Sequence, residues 1–113
     1  MAVNDLEPPY HLLLDADEVA ATAKALHLLI SDEAHEPQIR GLAREVLAQL
    51  EGVADERGIL SVALASRQMK ITHTALGLLF RDLGREQAAE VETLRAILNK
   101  LPDEHTMRAI TLG

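Results

Sequence analysis

The chain repeats itself. Residues 10–36 align on 60–86 without a gap, and eight of the 27 positions are identical. The identities are Leu14/Leu64, Thr22/Thr72, Ala25/Ala75, Leu26/Leu76, Leu28/Leu78, Leu29/Leu79, Asp32/Asp82 and Glu36/Glu86. One inserted residue lets the match run on through Arg44/Arg95, Val46/Ile97, Leu47/Leu98 and Leu50/Leu101. Leucine-rich helices match by chance, so the angular placement of the matches matters more than their number. At about 100° per residue, Thr22, Ala25, Leu26, Leu29, Asp32 and Glu36 share an arc of about 120°. Only Leu28 lies off it. A chain that keeps one helical face twice is constrained to build the same small unit twice and pack the copies together.

Each unit opens on a short extended segment. Tyr10 to Asp15 follows Pro8-Pro9, and Ile59 to Ala65 follows Gly58. Leu12/Leu14 and Val62/Leu64 recur at period two, as a half-buried strand requires. A helix over 16–32 follows in the first unit, opened by a capping box at Asp15 and Glu18. A helix over 67–83 follows in the second, with Ser66 as its cap. Both are apolar over more than half their circumference, which predicts packing on two sides. Gly84 offers a left-handed stop after the second, and Pro37 fits the start of the next helix. Segments 37–51 and 86–101 each carry one apolar stripe: Ile39, Leu42, Ala43, Val46, Leu47 and Leu50, then Val91, Leu94, Ile97, Leu98 and Leu101.

The expected fold is therefore mainly α: a tandem duplication of a β-α-α unit, with four main helices and a short two-stranded antiparallel ribbon. The 113 residues form a single domain, with repeat 1 over about 10–51, repeat 2 over about 59–102 and a tail at 103–113, read as a short helix capped by Asp103. Thr22, Leu26 and Leu29 should meet Thr72, Leu76 and Leu79 where the first helices of the two units touch.

Function is bounded mainly by exclusion. There is no cysteine, which removes disulfides, thiolate metal sites and thiol catalysis and fits a reducing cytoplasm. No apolar run approaches the ~18 residues of a membrane span, and no basic segment leads into an apolar run as in a signal peptide. Net charge is −7, with one Tyr, one Phe and no Trp, so a basic stripe and stacking aromatics for nucleic acid are missing. The charge is uneven: residues 1–56 hold twelve acids and three bases, residues 57–113 six acids and eight bases. Such a split can favour association of the halves or of two copies, or be solvated helix faces. The eight Arg against three Lys suggest a GC-rich genome; in composition alone the chain resembles small helical proteins of GC-rich bacteria.

No two of His11, His27, His35, His73 and His105 stand at the three- or four-residue spacing of helical metal ligands. The acid pairs Asp17-Glu18, Asp32-Glu33, Asp55-Glu56 and Asp103-Glu104 sit at helix starts and in loops, where dipole and solvent explain them. No nucleophile elbow or phosphate loop occurs. The chain is expected to be no enzyme and to need no cofactor or metal.

His73 replaces Ala23 of the other unit, between Met69 and Phe80 on the margin of the apolar arc. It reads as a titrating or ligand-contacting residue, or as a half-buried histidine bonded to a backbone carbonyl. Bare ribbon edges and surplus apolar helix surface point to a homodimer. The candidate interface or ligand residues are His73, Phe80, Leu12, Leu14, Val62 and Leu64. The expectation is a cytoplasmic protein-interaction or regulatory module, homodimeric or with another protein partner, binding neither nucleic acid nor membrane. The alternative is a small-molecule sensor with an apolar pocket between the repeats, shaped by the His73/Ala23 and Phe80/Ile30 exchanges.

Overall fold

The computed structural model describes residues 10–32, 34–83 and 87–101. The predicted tail helix and the Gly84 stop lie outside the described residues. The elements run β1 (Tyr10–Leu14), α1 (Ala16–Ser31), α2 (Pro37–Leu50), β2 (Leu60–Leu64), α3 (Ser66–Asp82) and α4 (Ala88–Lys100). The molecule is mainly helical with one two-stranded antiparallel sheet.

The strands alternate as their leucines require. Leu12, Leu14, Leu60, Val62 and Leu64 are buried on the inner face, while His11, Leu13 and Ser61 face out. Tyr10 pairs with Leu64, Leu12 with Val62 and Leu14 with Leu60. One residue separates each strand from its helix, so α1 and α3 leave from opposite ends of the ribbon.

α1 starts as its sequence predicts. Asp15 Oδ1 accepts from the Glu18 amide at 2.8 Å, and Glu18 Oε1 accepts from the Asp15 amide at 2.9 Å. In α3 the predicted cap is displaced by one residue. Ser66 is already helical, and the extended Ala65 takes the cap position. Alanine has no acceptor, so only the return half of the box forms: Gln68 Oε1 accepts from the Ala65 amide at 2.9 Å. The three-residue reach of Gln68 selects Ala65 rather than Ser66.

The core lies between ribbon and helices. α1 and α3 pack on each other, and α2 and α4 each touch both of them. Ala21, Thr22, Ala25, Leu26 and Leu29 of α1 are buried, as are Met69, Ile71, Thr72, Ala75, Leu76 and Leu79 of α3. Two threonines reach this core because each hydroxyl has a local acceptor. Thr22 donates to the Glu18 carbonyl and Thr72 to the Gln68 carbonyl, both at 2.8 Å. α2 begins on Pro37 and buries Ala43, Val46 and Leu50. α4 buries Leu94 and Ile97, with Leu101 buried at its C-cap.

The link from α2 to β2 is a tight turn built on Asp55. Its Oδ1 accepts from the Arg57 amide at 2.8 Å and the Ile59 amide at 3.0 Å. These backbone bonds, the one from Ile59 foremost, hold the exposed Asp55 carboxyl below its ordinary range. The Gly58 amide donates to the Asp55 carbonyl at 2.9 Å with Gly58 at φ +78°. A β-carbon on Gly58 would meet nothing within 4 Å, so its cost is conformational alone. Gly58→Ala is expected to cost about 1 kcal/mol in urea denaturation; an unchanged midpoint would mean that the turn does not hold Gly58 in this conformation.

Candidate functional site

The six residues singled out from sequence divide into two groups. Leu12, Leu14, Val62 and Leu64 lie in the core beneath the helices and have no surface to offer a partner. The period-two pattern marks the inner face of the ribbon, and these side chains join the helices there in one core. Phe80 is half-buried against the core, with the Arg95 guanidinium 5.7 Å from its ring centre. His73 is half-buried on α3 and engaged by a neighbouring group. Among the described residues no group of three or more His, Asp or Glu could hold a metal ion.

The ribbon edges are less bare than the strand count suggests. Gln49 near the end of α2 donates to the Ala63 carbonyl at 2.7 Å and accepts from the Ala63 amide at 3.1 Å. Ala63 therefore points away from the ladder, and by alternation so do His11, Leu13 and Ser61. Lys100 at the end of α4 donates to the Leu13 carbonyl at 2.9 Å. The same ammonium meets both oxygens of the buried Glu18, at 2.6 and 2.8 Å. The Tyr10 hydroxyl donates to the Lys100 carbonyl. The outer edge of β2 is thus held in part by α2, and that of β1 by α4.

Surface left over from packing collects at the other end of the helices. The C-terminal halves of α1 and α3 flank a concavity of about 290 Å³. Its floor is Ala25, Leu29, Ala75 and Leu79. Its rim is Leu28 and Asp32 from α1, with Leu78 and Asp82 from α3, and His35 on the α1 side. Leu28 is 50% exposed and Leu78 41% exposed. Asp32 Oδ1 accepts from the Ala34 amide at 3.0 Å, and Oδ2 lies 3.7 Å from His35 Nε2. No basic residue sits in the last turn of α1. Arg81 sits in the last turn of α3 but does not line the concavity. Among the described residues, two helix C-termini and two aspartates place negative charge on this rim, with His35 beside Asp32.

A second concavity, about 400 Å³, lies between α1 and α4 and is spanned by the Lys24–Glu90 ion pair at 2.8 Å. Its other linings are mostly small side chains such as Ala20, Ala21 and Ala89. Neither concavity is lined by His73 or Phe80.

Sequence reasoning passed over Leu28 and Leu78. Their signal was present: this is the identical pair that falls off the shared arc. No helix among the described residues is long and apolar enough to cross a membrane. No family model, curated protein or solved structure matches the chain.

Proposed function

We propose that the chain is a cytoplasmic protein-interaction module without chemistry of its own, built from a duplicated strand–helix–helix unit. Its docking face is the α1/α3 end. The observation that carries this is the exposure of Leu28 and Leu78 side by side around one concavity. Large apolar side chains exposed together around a concavity are what a docking face offers, unlike scattered single ones.

Duplication is supported by how counterparts recur. With an offset of 50, Leu12 and Val62 are counterparts, and they are also ladder partners. The pairs Tyr10/Leu64 and Leu14/Leu60 exchange under the same offset. A two-fold axis through the Leu12/Val62 pair would produce this register. The Thr22 and Thr72 hydroxyl bonds obey the same offset, as do the amide bonds to Glu18 and Gln68. Ala43, Val46 and Leu50 recur as Leu94, Ile97 and Leu101 at an offset of 51.

Homodimerisation drew its argument from bare strand edges and from surplus apolar helix surface. Gln49 and Lys100 occupy part of each edge, which weakens the first ground and leaves the second. A second copy on the α1/α3 end would set four aspartates against one another. The sensor alternative gains from a concavity that does lie between the two units, but small ligands need most of their surface enclosed, and this rim is half open.

The test is quantitative affinity capture from the source cell with wild type and Leu28→Ser/Leu78→Ser. The substitutions remove exposed apolar surface, so stability should change by less than about 1 kcal/mol. Partners retained by wild type and lost by the variant are expected. A variant that captures the same proteins in the same amounts would sink the assignment of this face. Native mass spectrometry of the bare protein reads out a second copy or a small-molecule adduct directly.

A further inference from the structure

We infer that the α1/α3 end receives a cationic amphipathic helix of a partner protein, its apolar residues on Leu28 and Leu78 and its Lys or Arg beside Asp32 and Asp82. The inference rests on the docking reading of the same face and adds the chemistry of the occupant. It comes from charge complementarity. The rim pairs one leucine with one aspartate on each helix, four residues apart and one turn along the same side. An apolar anchor with a positive charge beside it matches that pattern twice. The ends of α1 and α3 add partial negative charge from carbonyls that no intrahelical amide satisfies. α1 supplies no base of its own in its last turn. Among the described residues, the Asp82 carboxyl meets no hydrogen-bond or ion-pair partner, and the Asp32 carboxyl is met by the Ala34 amide and His35. The strands lie at the opposite end of α1 and α3, so among the described residues no sheet edge is available here for an extended peptide to join. What remains is a helix laid on an apolar groove, read by anchors at helical spacing.

The probe is a labelled helical peptide about 18 residues long, leucine on one face and lysine on the other, with a counterpart carrying glutamate for lysine. Both are titrated into the full chain by fluorescence anisotropy, and the lysine peptide is also followed by amide chemical-shift mapping. The lysine peptide is expected to bind saturably, to move amides around Leu28, Asp32, Leu78 and Asp82, and to bind more weakly as salt rises. Asp32→Asn/Asp82→Asn should weaken it about tenfold, since two rim ion pairs and their share of the helix-end field are lost. Asp82→Asn alone serves if the double variant does not fold. Equal binding of both peptides, or an unchanged affinity for the Asn variant, overturns the cationic occupant and leaves the docking face standing. Shifts centred away from this end, or no saturable binding of either peptide, overturn both.

Discussion

Replacing Lys100 by Gln is expected to destabilise the protein by roughly 2–3 kcal/mol, and replacing Glu18 by Gln at the same time should return most of it. The Glu18 side chain is only 7% exposed, and Lys100 supplies its counter-charge. Loss of that charge leaves a buried carboxylate that, among the described residues, accepts only from the Asp15 amide at the N-cap of α1. The figure is set below the full value for a buried pair because the Lys100 side chain is 40% exposed and water reaches it. The rescue follows from the other end of the ribbon. There the counterparts of Glu18 and Lys100 are Gln68 and Gln49, and both are uncharged. Gln68 bonds the Ala65 amide, and Gln49 bonds both backbone groups of Ala63. Glu18→Gln/Lys100→Gln would rebuild the same geometry on Asp15 and Leu13 and should fall within about 1 kcal/mol of wild type. A double-mutant cycle in urea measures the coupling. Additive losses would show that the two residues act independently.

The second large effect is expected at the crossing of α1 and α3. Leu26 and Leu76 are fully buried counterparts, and truncation of either to Ala should cost about 3–4 kcal/mol from lost burial and the cavity left behind. That is a large share of the ~5–15 kcal/mol that holds a domain together. Because the two leucines occupy equivalent places in the same core, their costs should agree within about 1 kcal/mol. Leu13→Ala on the outer face of the ribbon serves as the control, with a change of about 0.5 kcal/mol or less. Urea denaturation of all three variants is the check. A Leu26 cost far below that of Leu76 would mean that α1 and α3 do not share one packing layer.

Much of this architecture is legible in the amino-acid sequence. Strand positions followed from the alternation of Leu12/Leu14 and Val62/Leu64. Helix positions followed from the apolar arcs, and the start of α1 from Asp15 and Glu18. These signals are local, and the local rules suffice. Residue type alone points to Ser66 as the cap, but spacing decides: Gln68 reaches Ala65, although Ala65 has nothing to give in return. The edge contacts of Gln49 and Lys100 were invisible for another reason. A glutamine and a lysine at helix ends are unremarkable until topology sets the strand of the other unit beside them. His73 stands out because it differs from Ala23 at the 50-residue offset, whereas the concavity is lined, His35 apart, by residues identical at that offset. Leu28 and Leu78 matched in sequence yet fell outside the packing arc. A position repeated without a packing reason was the readable clue to the exposed face.

The two edge contacts differ in how far apart along the chain their partners lie. Gln49 and Ala63 are 14 residues apart, and Lys100 and Leu13 are 87 apart. On a chain growing from its first residue, α2 can close over β2 as soon as the Asp55 turn has formed. The outer edge of β1 has no such early guard: it waits for α4. Contacts that span so much sequence are slow to form, and an open strand edge in the meantime can pair with another chain. The two strand edges are held in like manner but on different clocks, and the order of synthesis leaves β1 as the strand exposed longest to misassembly.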